Sequence, residues 1–86
     1  PFKEKINNGV YERTFSQDVD NDELVWHRDR EDREIQVIGE TDWLFQFDNE
    51  LPIDMELNKG IHIKKGRIHR IIKGSTSLIV GIKKLY

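Results

Sequence analysis

Hydrophobic and polar residues alternate with period two along much of this chain, in short runs broken by charged or glycine-bearing turns. Trp43, Phe45 and Phe47 alternate with Leu44 and Gln46, which on an extended segment makes one strongly aromatic face. Downstream, Ile61 and Ile63, then Ile68, Ile71 and Ile72, then residues 78–82 form apolar runs punctuated by Lys65-Gly66 and Gly74-Ser75. Upstream, the same rhythm predicts strands over residues 23–27, 34–38 and 43–47, with turns at 30–33, 39–42 and 48–50. Helical periodicity is weak throughout. Residues 2–15 read as an amino-terminal arm, extended or with a turn of helix over 2–8. Its alternating Val10, Tyr11, Thr14 and Phe15 suit an added edge strand. Short strands at spacings of about 8 to 12 residues indicate an all-β sandwich or small barrel, with an arm over residues 1–19 and a single barrel over 20–86.

Composition strengthens the strand reading. The 86 residues contain no alanine, while β-branched isoleucine and valine dominate the apolar set, so side-chain stiffness favours strands over helices. The chain has no cysteine, which excludes disulfides, thiolate metal sites and cysteine nucleophiles. No apolar run approaches the roughly 20 residues that span a bilayer, and the amino-terminal stretch lacks the apolar centre of a secretory signal. The expectation is a cytoplasmic protein with no membrane partner.

The net charge of -2 conceals a strong polarity. All 16 carboxylates lie in residues 1–58, whereas residues 59–86 carry lysine, arginine and no carboxylate. A basic tail for nucleic acid is one reading, but the basic segment has the aliphatic spacing of strands and only Tyr86 as an aromatic, which argues against nucleic-acid binding. Acidic strands folding against basic ones explain the polarity better.

His27 and Asp29 stand two residues apart, so on a strand their side chains share a face and make a compact chelating pair. His69, just after the turn around Gly66, is the candidate third ligand, and two histidines with one carboxylate suit Fe(II) and other divalent ions. Glu34, at the start of the next predicted strand, is the candidate fourth. His62 alternates with Ile61 and Ile63, which places it on the other face. Trp43, Phe45, Gln46 and Phe47 are candidate substrate-binding residues, although three aromatics at period two also describe a core. Arg28 and Arg70 alternate with the ligands and so face away.

These motifs resemble those of the cupins. His27, Asp29 and Glu34 match the first signature, H-x-H-x(3,4)-E-x(6)-G, with Asp29 in place of the second histidine and Thr41 in place of the glycine. Ile63, Gly66 and His69 match the second, I-P-x-G-x-x-H, with Lys64 in place of proline. The segment at 47–52 resembles the turn between the motifs of small single-domain cupins. The resemblance implies a small antiparallel β-barrel or jelly roll of the double-stranded β-helix type. It also implies a divalent metal (Fe, Mn, Ni or Zn) held by His27, Asp29, Glu34 and His69. Two histidines and two carboxylates would leave such a site neutral. The H-x-D…H pattern also resembles 2-oxoglutarate-dependent oxygenases, but position 79, where those carry a basic residue, is Ile79.

The functional expectation is a small metal-binding cupin-like protein, with isomerase or dioxygenase activity on a small polar or anionic molecule. The alternative is a metal-free β-barrel that binds a small ligand, a sugar or a partner protein. The small core and the exposed edges of such barrels favour a homodimer.

Overall fold

The alternating segments become strands in the computed structural model, which describes residues 2–16 and 24–85. The described residues form eight strands: β1 (Phe2–Asn7), β2 (Val10–Phe15), β3 (Asp32–Val37), β4 (Leu44–Phe47), β5 (Ile53–Asp54), β6 (Gly60–Ile63), β7 (His69–Ile72) and β8 (Leu78–Leu85). They assemble into a five-stranded sheet, β1-β2-β8-β3-β6, and a three-stranded sheet, β5-β4-β7, with every pairing antiparallel. The core carries the inward residues of both sheets. Ile61 and Ile63 point in while His62 points out, and Leu78, Val80 and Ile82 are buried along β8. From β4 comes Phe45 and from the residue just before it Trp43, both fully buried. No helix of the described residues is long and apolar enough to cross a membrane.

The amino-terminal arm adds to its own sheet. Asn8 and Gly9 lie at φ 53° and 80°, which closes the tight two-residue hairpin between β1 and β2. Strand β2 then pairs along β8, and Phe15 is anchored by its ring against Trp43, 6.2 Å away. The arm boundary expected at residue 19 lies outside the described residues.

The strand expected at 23–27 is corrected by the structure. Its first residue lies outside the described ones, and of the remainder only His27 pairs, through a reciprocal bridge to His69 with N···O distances of 3.0 and 2.9 Å. The His27 ring bonds the Val25 carbonyl instead, a local contact that competes with a longer ladder. The bridge still extends the small sheet by one residue beyond β7.

Two turns close over each other through Asp42. Its Oδ1 accepts from the Ser75 backbone N–H at 2.9 Å and its Oδ2 from the Ser75 hydroxyl at 2.6 Å. A Cβ at Gly74 would stand 2.9 Å from the Asp42 backbone carbon, so only glycine permits this approach. The Ser75 hydroxyl, then its N–H, hold the Asp42 carboxyl below the ordinary value of 3.8. Nearby, the Trp43 indole donates to the Thr76 carbonyl.

Candidate metal centre

The site is assembled from two segments that dock through their backbones. The turn at 64–67 closes with Arg67 N–H donating to Lys64 O at 3.0 Å, and Gly66 takes the positive φ of 80° that the turn's third position requires. Its amides then reach the preceding segment: Gly66 N–H donates to Asp29 O at 3.0 Å and Lys65 N–H to an Asp32 carboxylate oxygen at 2.7 Å. This fixes Asp29 beside the start of β7, where His69 pairs with His27 on one side and Phe47 on the other.

The structure brings His27, Asp29 and His69 together, with one donor atom of each within 4.8 Å of the others. His69 Nδ1 lies 2.7 Å from the Arg67 carbonyl and His27 Nδ1 lies 2.9 Å from the Val25 carbonyl. A carbonyl oxygen only accepts, so Nδ1 carries a proton in both rings; in a neutral imidazole so bonded, Nε2 presents a lone pair. The His69 lone pair faces Asp29 Oδ2 at 3.3 Å, and the two side chains are only 4% and 8% exposed. That carboxylate oxygen is buried without a hydrogen-bond partner. Burial holds the His69 imidazole below its ordinary value of 6.5; the Arg67 carbonyl opposes this, and the nearby His27 reinforces it. Two acceptors therefore face each other across a gap that a cation fits. Donors about 2.1 Å from a common ion at tetrahedral to right angles stand roughly 3.0 to 3.4 Å apart.

Glu34 is not part of this group. It lies on the outer face of β3, 59% exposed, with Oε1 3.8 Å from His62 Nδ1. The inward residues of β3 are Arg33, Ile35 and Val37, so the side chain that reaches the cluster is an arginine. Arg33 Nη1 lies 3.3 Å from Asp29 Oδ1 and Nη2 lies 3.2 Å from Glu31 Oε1. Lys84 lies 3.9 Å from the same Glu31 oxygen. Arg33 escaped the sequence reading because the four-residue spacer favoured Glu34, yet the signal was present: Arg33 has the parity of Ile35 and Val37, and Glu34 does not.

The four candidate substrate-binding residues separate in the same way. Phe45 stacks on the His69 ring, with centroids 5.6 Å apart and planes at 18°. It walls a cavity of about 80 Å³ that His27, Asp29, Arg33 and His69 also line. Phe47 packs edge-on against Phe45 and lies under the Arg67 guanidinium. Trp43 is core and does not line that cavity. Gln46 points to the opposite face of β4, where it accepts from Arg70 at 2.9 Å and donates to the Glu50 carbonyl. Period two explains why Gln46 opposes Phe45, whereas Trp43, of the same parity as Phe45, is set apart by its complete burial, which leaves no surface for a ligand. A larger depression of about 490 Å³ lies on the outer face, over Gly60 and Gly81, but its histidine and carboxylate are the exposed His62 and Glu34.

No family profile matches the sequence, and no curated protein matches it significantly. Solved structures match its fold. A cupin-2 domain containing protein of Shewanella frigidimarina superposes with a TM-score of 0.69 at 20% identity, over 99% of this chain and 80% of that one. A cupin domain of Bordetella pertussis gives 0.65 at 17% identity, over 100% and 93%. The iron(II) protein HppE gives 0.63 at 8% identity, over 98% of this chain and 48% of its own. The chain has the cupin fold.

Proposed function

We propose that this cupin-fold chain binds a divalent metal ion through His27, Asp29 and His69, and uses it in dioxygenase-type chemistry on a small molecule held in the adjoining cavity. The observation that carries the reading is Asp29 Oδ2, buried without a hydrogen-bond partner and 3.3 Å from Nε2 of His69. A two-histidine, one-carboxylate set leaves coordination positions open and suits Fe(II), for which the bound ion would supply a place for dioxygen and substrate together. The chain's own residues prepare that place. The Val25 and Arg67 carbonyls orient the two imidazoles through Nδ1. Phe45 excludes water from one side of His69, and the exposed His27 marks the side open to solvent. The iron in HppE supports the choice of metal.

A metal-free binding module is the second reading, and the Arg33–Asp29 pair favours it, because half of the carboxylate is already satisfied. Stripping the protein with a chelator, refilling it separately with Fe(II), Mn(II), Ni(II) and Zn(II), and measuring metal by elemental analysis separates the two. About one ion per chain is expected, with a raised thermal midpoint that His69→Ala abolishes. No ion above background, and no midpoint shift, would leave the metal-free module.

A further inference from the structure

The residue that stands where a fourth ligand was expected changes the charge of the centre. Resting on the metal reading above, we propose that the loaded cavity takes a small carboxylate anion, placed between the ion's open positions and the Arg33 guanidinium.

The charge balance comes first. A divalent ion brings two positive charges, Asp29 removes one and Arg33 returns it, while Glu31 is shared by Arg33 and Lys84. Arg13, which also lines the cavity, is paired with Glu4 and adds no net charge. With both histidines ligating as neutral imidazoles, the loaded centre keeps two positive charges, against walls that are otherwise largely apolar: Phe15, Phe45, Met55, Ile71 and Leu78. A second carboxylate ligand would have left the site neutral; the inward arginine leaves it in want of an anion. Hydrogen bonding points the same way. Arg33 lines the cavity, and although its Nη1 and Nη2 are engaged by Asp29 and Glu31, its buried Nε has no partner, so the guanidinium keeps a spare donor. Planar guanidinium donors match carboxylate oxygens in position and direction.

Size and wall polarity narrow the class. About 80 Å³ holds two or three waters at about 30 Å³ each, hence a ligand of few non-hydrogen atoms. Phe45, stacked on His69, makes the wall beside the histidine apolar, which suits a small carboxylate better than the more strongly hydrated phosphate.

The test uses Co(II)-loaded full chain, with loading measured by elemental analysis. Glycolate, its neutral counterpart glycolamide and inorganic phosphate are titrated, followed by cobalt absorption and calorimetry, and metal content is checked again afterwards. Glycolate should bind and perturb the cobalt spectrum, with glycolamide and phosphate at least about tenfold weaker. Arg33→Gln should weaken glycolate by about tenfold or more while holding Co(II) at least as tightly, because Asp29 loses its competing cation; Arg33→Lys should recover part of the loss. A merely structural Arg33 would lose metal and glycolate in parallel, and that result overturns the proposal. So does wild-type glycolate affinity in Arg33→Gln, equal binding of glycolamide, or tighter binding of phosphate. If Arg33→Gln does not fold, Arg33→Lys and the glycolate–glycolamide comparison in the wild type still decide. Failure of the wild type to load Co(II) removes the metal reading and this inference together; loading without glycolate binding removes this inference alone.

Discussion

Two histidine–carboxylate pairs sit on opposite faces of the same shell, and their surroundings give them opposite characters. On the inside, His69 and Asp29 approach to 3.3 Å with side chains 4% and 8% exposed. On the outside, His62 and Glu34 stand 3.8 Å apart with side chains 48% and 59% exposed. Residue type does not separate the pairs, since each is an imidazole beside a carboxylate. Water does: it solvates the outer pair and screens its attraction, whereas the inner pair is left with a lone pair facing a lone pair and no solvent to relieve it. A site at this scale is made by burial acting on ordinary residues.

Replacing one carboxylate at a time breaks the comparison most sharply at Asp29. Asp29→Ala should lower metal affinity by more than about 100-fold, beyond what the loss of a residue behind a ligand costs. In the metal-free protein it should also cost about 3 kcal/mol in urea unfolding, because Arg33 stays buried with only Glu31 as partner. Retained metal with unchanged stability would show that the inner pair behaves like the outer one.

Asp42 lies between the extremes, exposed yet held by two bonds from Ser75. Its folded pKa is lowered, so its contribution is fully present above the unfolded value near 3.8 and fades as pH falls below it. Urea midpoints of wild type and Asp42→Asn should therefore differ at neutral pH and converge in acid. A gap that persists unchanged at low pH would assign the difference to packing around Gly74 instead of to the carboxylate's charge.

The outer pair should show the smallest effects. Glu34→Gln and His62→Ala are each expected to change stability by about 0.5 kcal/mol or less and to leave metal content as it was. A double-mutant cycle measures their coupling, and a value near that of a buried pair would erase the contrast drawn between the two faces.

Much of this was legible along the chain. Strands β4, β6, β7 and β8 follow directly from β-branched and aromatic residues at period two, because a pleated strand sends successive side chains to opposite faces whatever surrounds it. The same parity placed His27 with Asp29 and set His62 outside. Asn8-Gly9, a short-range hairpin signal, marks the β1/β2 turn, though the arm around it read only as extended or helical. The charge polarity resolved into two kinds of contact. Arg67–Glu50 and Lys84–Glu31 join the basic and acidic halves, whereas Arg33–Asp29 and Arg13–Glu4 are made within the acidic half.

The sequence by itself determined the fold class and the parity of the strands, both consequences of local backbone geometry, and it named the three residues that converge; the docking of the His27–Asp29 segment on the turn and strand that carry His69 brings them together. The tertiary structure decided which face of β3 is buried, and so that Arg33 and not Glu34 meets the cluster. That choice depends on the register of β3 between β6 and β8, where a shift of one residue exchanges the faces, and a spacer counted along one chain does not contain the position of its neighbours. It also decided that Asp29 Oδ2 is buried without a partner, because burial is a property of everything packed around an atom and not of the residue that carries it.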